Sequence, residues 1–201
     1  MIHDTPCRTQ GRPRCEETTK AILAATRKLF ERSNLRDMTI EAIAREAGVG
    51  KATIYRWWKT KNELVLDACF EDLQPRLDYG TTGSPACIIA EQVKRVVEAY
   101  RGPSGRMVAQ LLAEAQYDPA VSRSFTEAYL SRRCCTLHTL LAQCGITCEA
   151  EQDAVAEQIY SPIFFRLIMG NAPLDEAFAK SIQSFVIQRL NAARPARVPD
   201  C

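Results

Sequence analysis

"AGVGKATIYRWWKTK", residues 47–61, gathers a glycine turn, two tryptophans, a tyrosine and four cations into fifteen positions. A buried helix excludes the cations, and an ordinary solvated helix has no use for the aromatics. Ile54 and Trp58 stand four apart and share one face of a short helix that starts near Gly50 or Lys51 and ends near Trp58. With that face turned inward, Thr53, Tyr55, Arg56 and Trp57 lie outward or on the flanks. Lys51 opens this helix and Lys61 opens the next.

On the N-terminal side, Thr39 reads as the N-cap of a short helix with Ala42, Ile43 and Ala47 inward, broken by Gly48. Before it, Ile22, Ala25, Leu29 and Phe30 mark one face of a helix from Glu16 to about Ser33-Asn34, where Asn34 suits a left-handed cap. On the C-terminal side, Thr60 and Glu63 form a capping box ahead of Leu64, Ala68 and Leu73. Two short helices joined by a tight glycine turn are what a helix-turn-helix requires, its second helix offering an outer face to a DNA major groove. Lysines, arginines and a threonine hydroxyl suit phosphates and base edges, and aromatic edges suit sugars and thymine methyls, so both halves of the composition are explained.

Charge follows the same division. Residues 1–66 hold 13 Lys/Arg against 8 Asp/Glu and the remainder 13 against 16, so a basic third (+5) precedes a slightly acidic body (−3). A polyanion partner is expected for the first part. No apolar run reaches about 18 residues, so no membrane span is expected. "MIHDTPCRTQGRPR" lacks the apolar centre of a signal peptide, which implies a cytoplasmic protein. Nine cysteines, an odd number without a C-x-x-C pair, indicate neither a disulfide framework nor a zinc ribbon.

Helical periodicity continues to the C-terminus, giving an all-α chain of about nine helices and no sheet. "DYGTTGSPAC" is a linker. A helix from Pro85 to about Arg101 follows, then one carrying Met107, Val108, Leu111, Leu112 and Ala115. A long helix runs from Asp118-Pro119 through Phe125, Leu130, Leu137 and Leu141, and the last two span roughly Glu151–Met169 and Leu174–Leu190. The expected organisation is a basic arm over 1–15, a DNA-binding domain over 16–62, a ligand-binding and dimerisation domain over 63–193, and a tail over 194–201.

The ordered motifs "TIEAIAREAGV", "TIYR" and "KNEL", with "LF" in the first helix, resemble the N-terminal domain of TetR-type transcriptional regulators across residues 16–68. Asn34 stands where that family usually has Gly, and Trp58 where Phe is commonest. Looser similarity continues through "LLAEAQYDPAVSRSF" and "YSPIFFRLIMGNAPLDEAF". The resemblance implies DNA contacts from Thr39, Ala52, Thr53, Tyr55, Arg56, Trp57 and Lys61. It also implies a homodimer through the last two helices and a small-molecule cavity in the C-terminal domain. The expected function is therefore a ligand-responsive repressor, not an enzyme, that binds a palindromic double-stranded operator as a dimer and needs no cofactor.

Further expectations come from the residues. Arg12 and Arg14, extended around Pro13, suit a narrow minor groove. Met107, Gln110, Leu111, Tyr117, Phe125, Tyr129, His138, Tyr160 and Phe164 are the candidate ligand contacts, and Pro162 is a candidate kink beside them. Leu174, Phe178, Ile182, Phe185 and Val186, with Ile159, Ile163 and Leu167, form the candidate dimer stripe. Cys134 and His138, i and i+4, with Cys135, Cys144 and Cys148 nearby, support an alternative: a thiol-, redox- or metal-sensing regulator of the same fold.

Overall fold

The computed structural model describes residues 16–127 and 131–192, with backbone alone at 131–133. Among these residues there are ten α-helices and no strand. The first, α1 (Glu16–Arg32), buries Ile22, Leu23, Ala25 and Phe30. Its expected left-handed cap at Asn34 is absent, since no described non-glycine residue has positive φ. Instead the Asn34 carbonyl accepts from the N–H groups of Asp37 (3.1 Å) and Met38 (3.2 Å), which closes a turn that buries Leu35 and Met38.

Helix α2 (Ile40–Ala47) is capped by Thr39, whose Oγ1 accepts from the Ala42 N–H at 3.1 Å. Its inner face is Ile40, Ile43 and Ala44, while Ala42 and Ala47 are half-buried. Gly48 ends it at φ +67°, a conformation that carries no Cβ penalty only in glycine. Helix α3 is the single turn and a half Lys51–Tyr55, shorter than expected; Trp57 and Trp58 still donate to the Ile54 carbonyl at 2.9 and 3.0 Å. Helix α4 (Lys61–Leu77) opens on Thr60, whose Oγ1 accepts from Glu63 N–H at 3.1 Å. The return bond of the expected capping box goes one residue further back, from Lys59 N–H to Glu63 Oε2 at 2.8 Å.

Six helices complete the chain: α5 (Pro85–Tyr100), α6 (Pro103–Ala115), α7 (Pro119–Phe125), α8 (Ser131–Gln143), α9 (Glu149–Met169) and α10 (Glu176–Ala192). The expected single helix after Asp118 is thus described as two, α7 and α8, with residues 128–130 between them outside the described set. Helix α9 runs on through Pro162. Helix α10 starts later than expected because Asp175 caps it, Oδ1 accepting from Phe178 N–H at 2.8 Å.

Helix α4 is the shared beam. It packs on α1 to one side and on α5, α6 and α7 to the other, and α10 lies along α5. Buried side chains from Ile22 and Trp58 through Leu73 and Ile89 to Val186 and Leu190 form one continuous apolar cluster. Much of the stripe expected to pair two subunits lies in that cluster: Ile159, Ile163, Phe178, Ile182 and Val186 are buried within the monomer, and Leu174 and Leu167 pack against it. Helix α5 is the reason, because it takes up the inward face of α10 first. The large apolar side chains that remain outside on these helices are Phe165, Ile168, Met169, Phe185 and Ile187.

The corner between α5 and α6 has no slack. A Cβ on Gly105 would overlap the Tyr100 carbonyl oxygen and stand 2.6 Å from its carbon and 2.7 Å from its Cα, all backbone atoms of a buried residue. Gly105→Ala is therefore expected to cost about 3 kcal/mol, seen as a lowered urea midpoint with an unchanged m-value.

Candidate nucleic-acid interface and effector cavity

Five residues do not make a helix stable alone, so α3 takes its orientation from what it buries. Ile54 is fully buried and Trp58 nearly so, at 2% exposure. Trp58 also donates Nε1–H to Asp67 Oδ2 of α4 at 2.8 Å. With two residues four apart pinned inward, the rest of the turn has no choice of side. Lys51, Ala52, Tyr55 and Arg56 are exposed, Tyr55 to 52%, and Thr53 and Trp57 are half-buried on the flanks.

The two lysines differ. Lys51 Nζ lies 3.0 Å from Glu41 Oε1 of α2, both exposed. The hydrogen bond from Lys51 holds the Glu41 carboxyl below its ordinary range, and Glu41 in turn raises Lys51. Such an exposed pair is weak and opens readily for a stronger anion. Lys61, by contrast, is partly buried and turned toward the protein: its ammonium donates to Leu35 O at 2.6 Å and Met38 O at 2.9 Å, leaving one N–H of three for any phosphate. Thr39 is exposed with its hydroxyl oxygen committed to the α2 cap. Arg12 and Arg14 lie outside the described residues.

In the C-terminal half a cavity of about 370 Å³ opens between α5, α8, α9 and the segment after α4. Tyr79, Val96, Tyr100, Cys134, Leu137, Asp153, Ala156, Glu157, Tyr160, Ser161 and Phe164 line it. Of the nine expected ligand contacts, Tyr160 and Phe164 are in this wall. Met107 and Leu111 belong to the core, and Phe125 is buried with its ring 5.7 Å from that of Phe70. Tyr117 is 81% exposed. His138 stands behind the wall with Nε2 3.0 Å from Asp153 Oδ1, and Tyr129 lies outside the described residues. Gln110 serves another place: its Oε1 accepts from Leu35 N–H at 2.7 Å and its Nε2 donates to Asn34 Oδ1 at 3.3 Å, which ties α6 to the turn between α1 and α2.

Periodicity gave no sign of Tyr79, Tyr100, Asp153 or Glu157, because the wall draws on four separate segments. Tyr79 and Tyr160 hydroxyls meet at 3.0 Å, Tyr160 donates to Gln92 Oε1 at 2.5 Å, and Gln92 Nε2 donates to Leu77 O at 3.3 Å.

The cysteines give sensing little support. Burial pushes the Cys69 thiol up to about 12, leaving essentially no thiolate at neutral pH. Cys144 is buried, whereas Cys87, Cys135 and Cys148 are exposed. Among the described residues no three His, Cys, Asp or Glu side chains converge on a metal position, so Cys134 and His138 find no third ligand there. No helix among the described residues is long and apolar enough to cross a membrane.

Comparison with known proteins accords with this geometry. Residues 22–68 match the sequence model of bacterial regulatory proteins of the tetR family, and residues 81–186 match that of the tetracyclin repressor-like C-terminal domain. The chain is 27% identical over 177 residues to YdeS, an uncharacterized HTH-type transcriptional regulator of Bacillus subtilis strain 168, covering 86% of this chain and 89% of the relative. The crystal structure of the TetR family transcription regulator SCO0332 superposes with a TM-score of 0.72 at 25% identity, over 90% of this chain and all of that one. BioQ, solved with its natural double-stranded DNA operator, shares the fold at a TM-score of 0.63 and 18% identity, over 87% and 98% of the two chains. A helix-turn-helix at one end, an all-helical cavity-bearing body at the other and family matches across both make this chain a member of the TetR family, a DNA-binding transcriptional regulator and not an enzyme.

Proposed function

We propose that the chain is a repressor that binds a palindromic operator as a homodimer and is released by a small molecule held in the C-terminal cavity. One observation carries the DNA reading: burial of Ile54 and Trp58 leaves Thr53, Tyr55 and Arg56 on the outer side of α3. Arg56 and Thr53 read base edges in the major groove. Thr39, Lys51, Tyr55 and Lys61 position the backbone, with Ala52 and Trp57 completing the contact surface. Arg12 and Arg14 reach the adjoining minor groove. The structural relative BioQ, solved with its double-stranded operator, supports a duplex as the partner.

Dimerisation rests on the exposed apolar side chains of the last two helices. Phe165 and Ile168 are each 56% exposed and Met169 62%, more contiguous apolar surface than isolated surface residues explain. Two copies of α9 and α10 then set two reading helices about 34–36 Å apart, one turn of B-DNA.

Release needs a route from the cavity to the reading head. Tyr100 lines the cavity, and its backbone is jammed against Gly105 in the first turn of α6. Five residues further along α6, Gln110 holds the Leu35 N–H, and Lys61 holds the Leu35 carbonyl from α4. A ligand that parts α5 from α9 moves α6, and Gln110 passes the movement to the turn ahead of α2.

Three measurements test these parts. Arg56→Ala is expected to weaken operator binding by about 1–3 kcal/mol in fluorescence anisotropy with an unchanged sedimentation profile; wild-type affinity places base readout elsewhere. Ile168→Glu is expected to shift the protein to monomer in analytical ultracentrifugation and to lower operator affinity with it; an intact dimer removes α9 from the interface. Filling the cavity with Ala156→Trp is expected to weaken operator binding, and adding Gln110→Ala to shrink that effect by about 1 kcal/mol in a double-mutant cycle; additivity within about 0.3 kcal/mol excludes Gln110 from the route.

A further inference from the structure

The segment from Lys51 to Lys61 carries four cations, and the fold treats them differently. Lys51 is paired, its ammonium meeting the Glu41 carboxylate at 3.0 Å. Lys61 is turned inward, with two of its three donors on the carbonyls of Leu35 and Met38. Arg56 and Lys59 are exposed, and neither side chain has an ion pair or a hydrogen bond among the described residues. Base readout accounts for Arg56. Lys59 has no part in that reading.

The backbone of Lys59, unlike its charged head, is held on both sides. Trp58 before it is buried and donates to Asp67 at 2.8 Å. Its own N–H donates to Glu63 Oε2 at 2.8 Å, and Thr60 after it caps α4 by accepting from Glu63 N–H at 3.1 Å. Glu63 thus fixes the Lys59 backbone without forming an ion pair with its ammonium. A fixed stem under a free charge suits a phosphate contact, because little backbone freedom is left to lose on binding. Reach agrees. Lys59 follows Arg56 by three residues, at most about 11 Å of chain. A major groove is about 12 Å wide, so with Arg56 at the base edges the Lys59 ammonium reaches the sugar–phosphate strand at the rim.

Resting on the DNA reading above, we propose that Lys59 grips a backbone phosphate, and that it supplies the main positive charge at the head of α4 where the family resemblance implies Lys61. Lys61 acts as a positioning residue, holding the turn from Asn34 to Met38 ahead of α2. An ammonium is a compact point charge, so the Lys59 contact adds affinity without reading sequence.

The test is fluorescence anisotropy of the full-length protein on a labelled mixed-sequence duplex of about 30 base pairs, over roughly 50–200 mM salt. Lys59→Ala is expected to flatten the slope of log K against log salt by about 0.9 for each reading head engaged. Lys59→Arg is expected to keep the wild-type slope, since the charge and its donors return. Lys61→Met is expected to lower the urea midpoint, because two carbonyls lose their donor, and to flatten the slope less than Lys59→Ala does. The two Lys59 variants decide the proposal even where Lys61→Met fails to fold. A wild-type slope in Lys59→Ala, or a slope in Lys59→Arg as flat as in Lys59→Ala, overturns it and leaves the DNA reading standing. A wild-type protein without salt-dependent binding to the duplex overturns both.

Discussion

Burial of Ile54 and Trp58 is the constraint from which the DNA-facing geometry follows. A helix of five residues has neither the length nor the caps to hold its own orientation. Two large apolar side chains four positions apart supply it by entering the core shared with α1, α2 and α4, and the bond from Trp58 to Asp67 fixes the end of the turn to α4. Rotating α3 to hide Tyr55 or Arg56 would expose Trp58 and leave a void the size of an indole, a change of several kcal/mol. The exposure of an aromatic and a cation on the outer side is thus a consequence of packing on the inner side.

A second constraint lies in the turn from Asn34 to Met38. Three parts of the molecule hold it: its own hydrogen bonds, Lys61 from the start of α4, and Gln110 from α6. Two of the three belong to elements that also contact the C-terminal body, so the reading head cannot be treated as a bead on a string. The continuous core through α4 points the same way, since close-packed interiors transmit strain. Lys61 illustrates how a cation in a basic segment serves the protein before it serves a phosphate: two of its donors are satisfied by carbonyls inside the fold.

The helix-turn-helix was legible because its determinants are local. Thr39, Gly48 and Thr60 each act within four residues of their own position, and Ile54 and Trp58 mark a buried face by standing four apart, which is the range over which spacing carries information. Asn34 misled because an asparagine after a helix tolerates left-handed backbone without requiring it, and the turn found another closure. The apolar stripe of α10 was legible as a face but not as a contact. Periodicity identifies a face that will be buried and says nothing of its partner, and α5 within the same chain covers most of it. The tie made by Gln110 and the cavity wall beyond Tyr160 and Phe164 were illegible for the strongest reason: Leu35 lies 75 residues from Gln110, and Tyr79 lies 81 from Tyr160. Only folding brings those pairs together.

The protein therefore joins a short turn oriented by its buried side to a largely apolar and aromatic cavity, with α6 between them. The central claim is that the outer side of α3 recognises duplex DNA, and selection from a random pool of duplexes by the purified full-length protein tests it most directly. The account predicts enrichment of a palindrome whose half-sites are centred about one helical turn apart, with retention that falls steeply as salt is raised. Recovery of no enriched sequence, or of an asymmetric site without a repeated half, would contradict it.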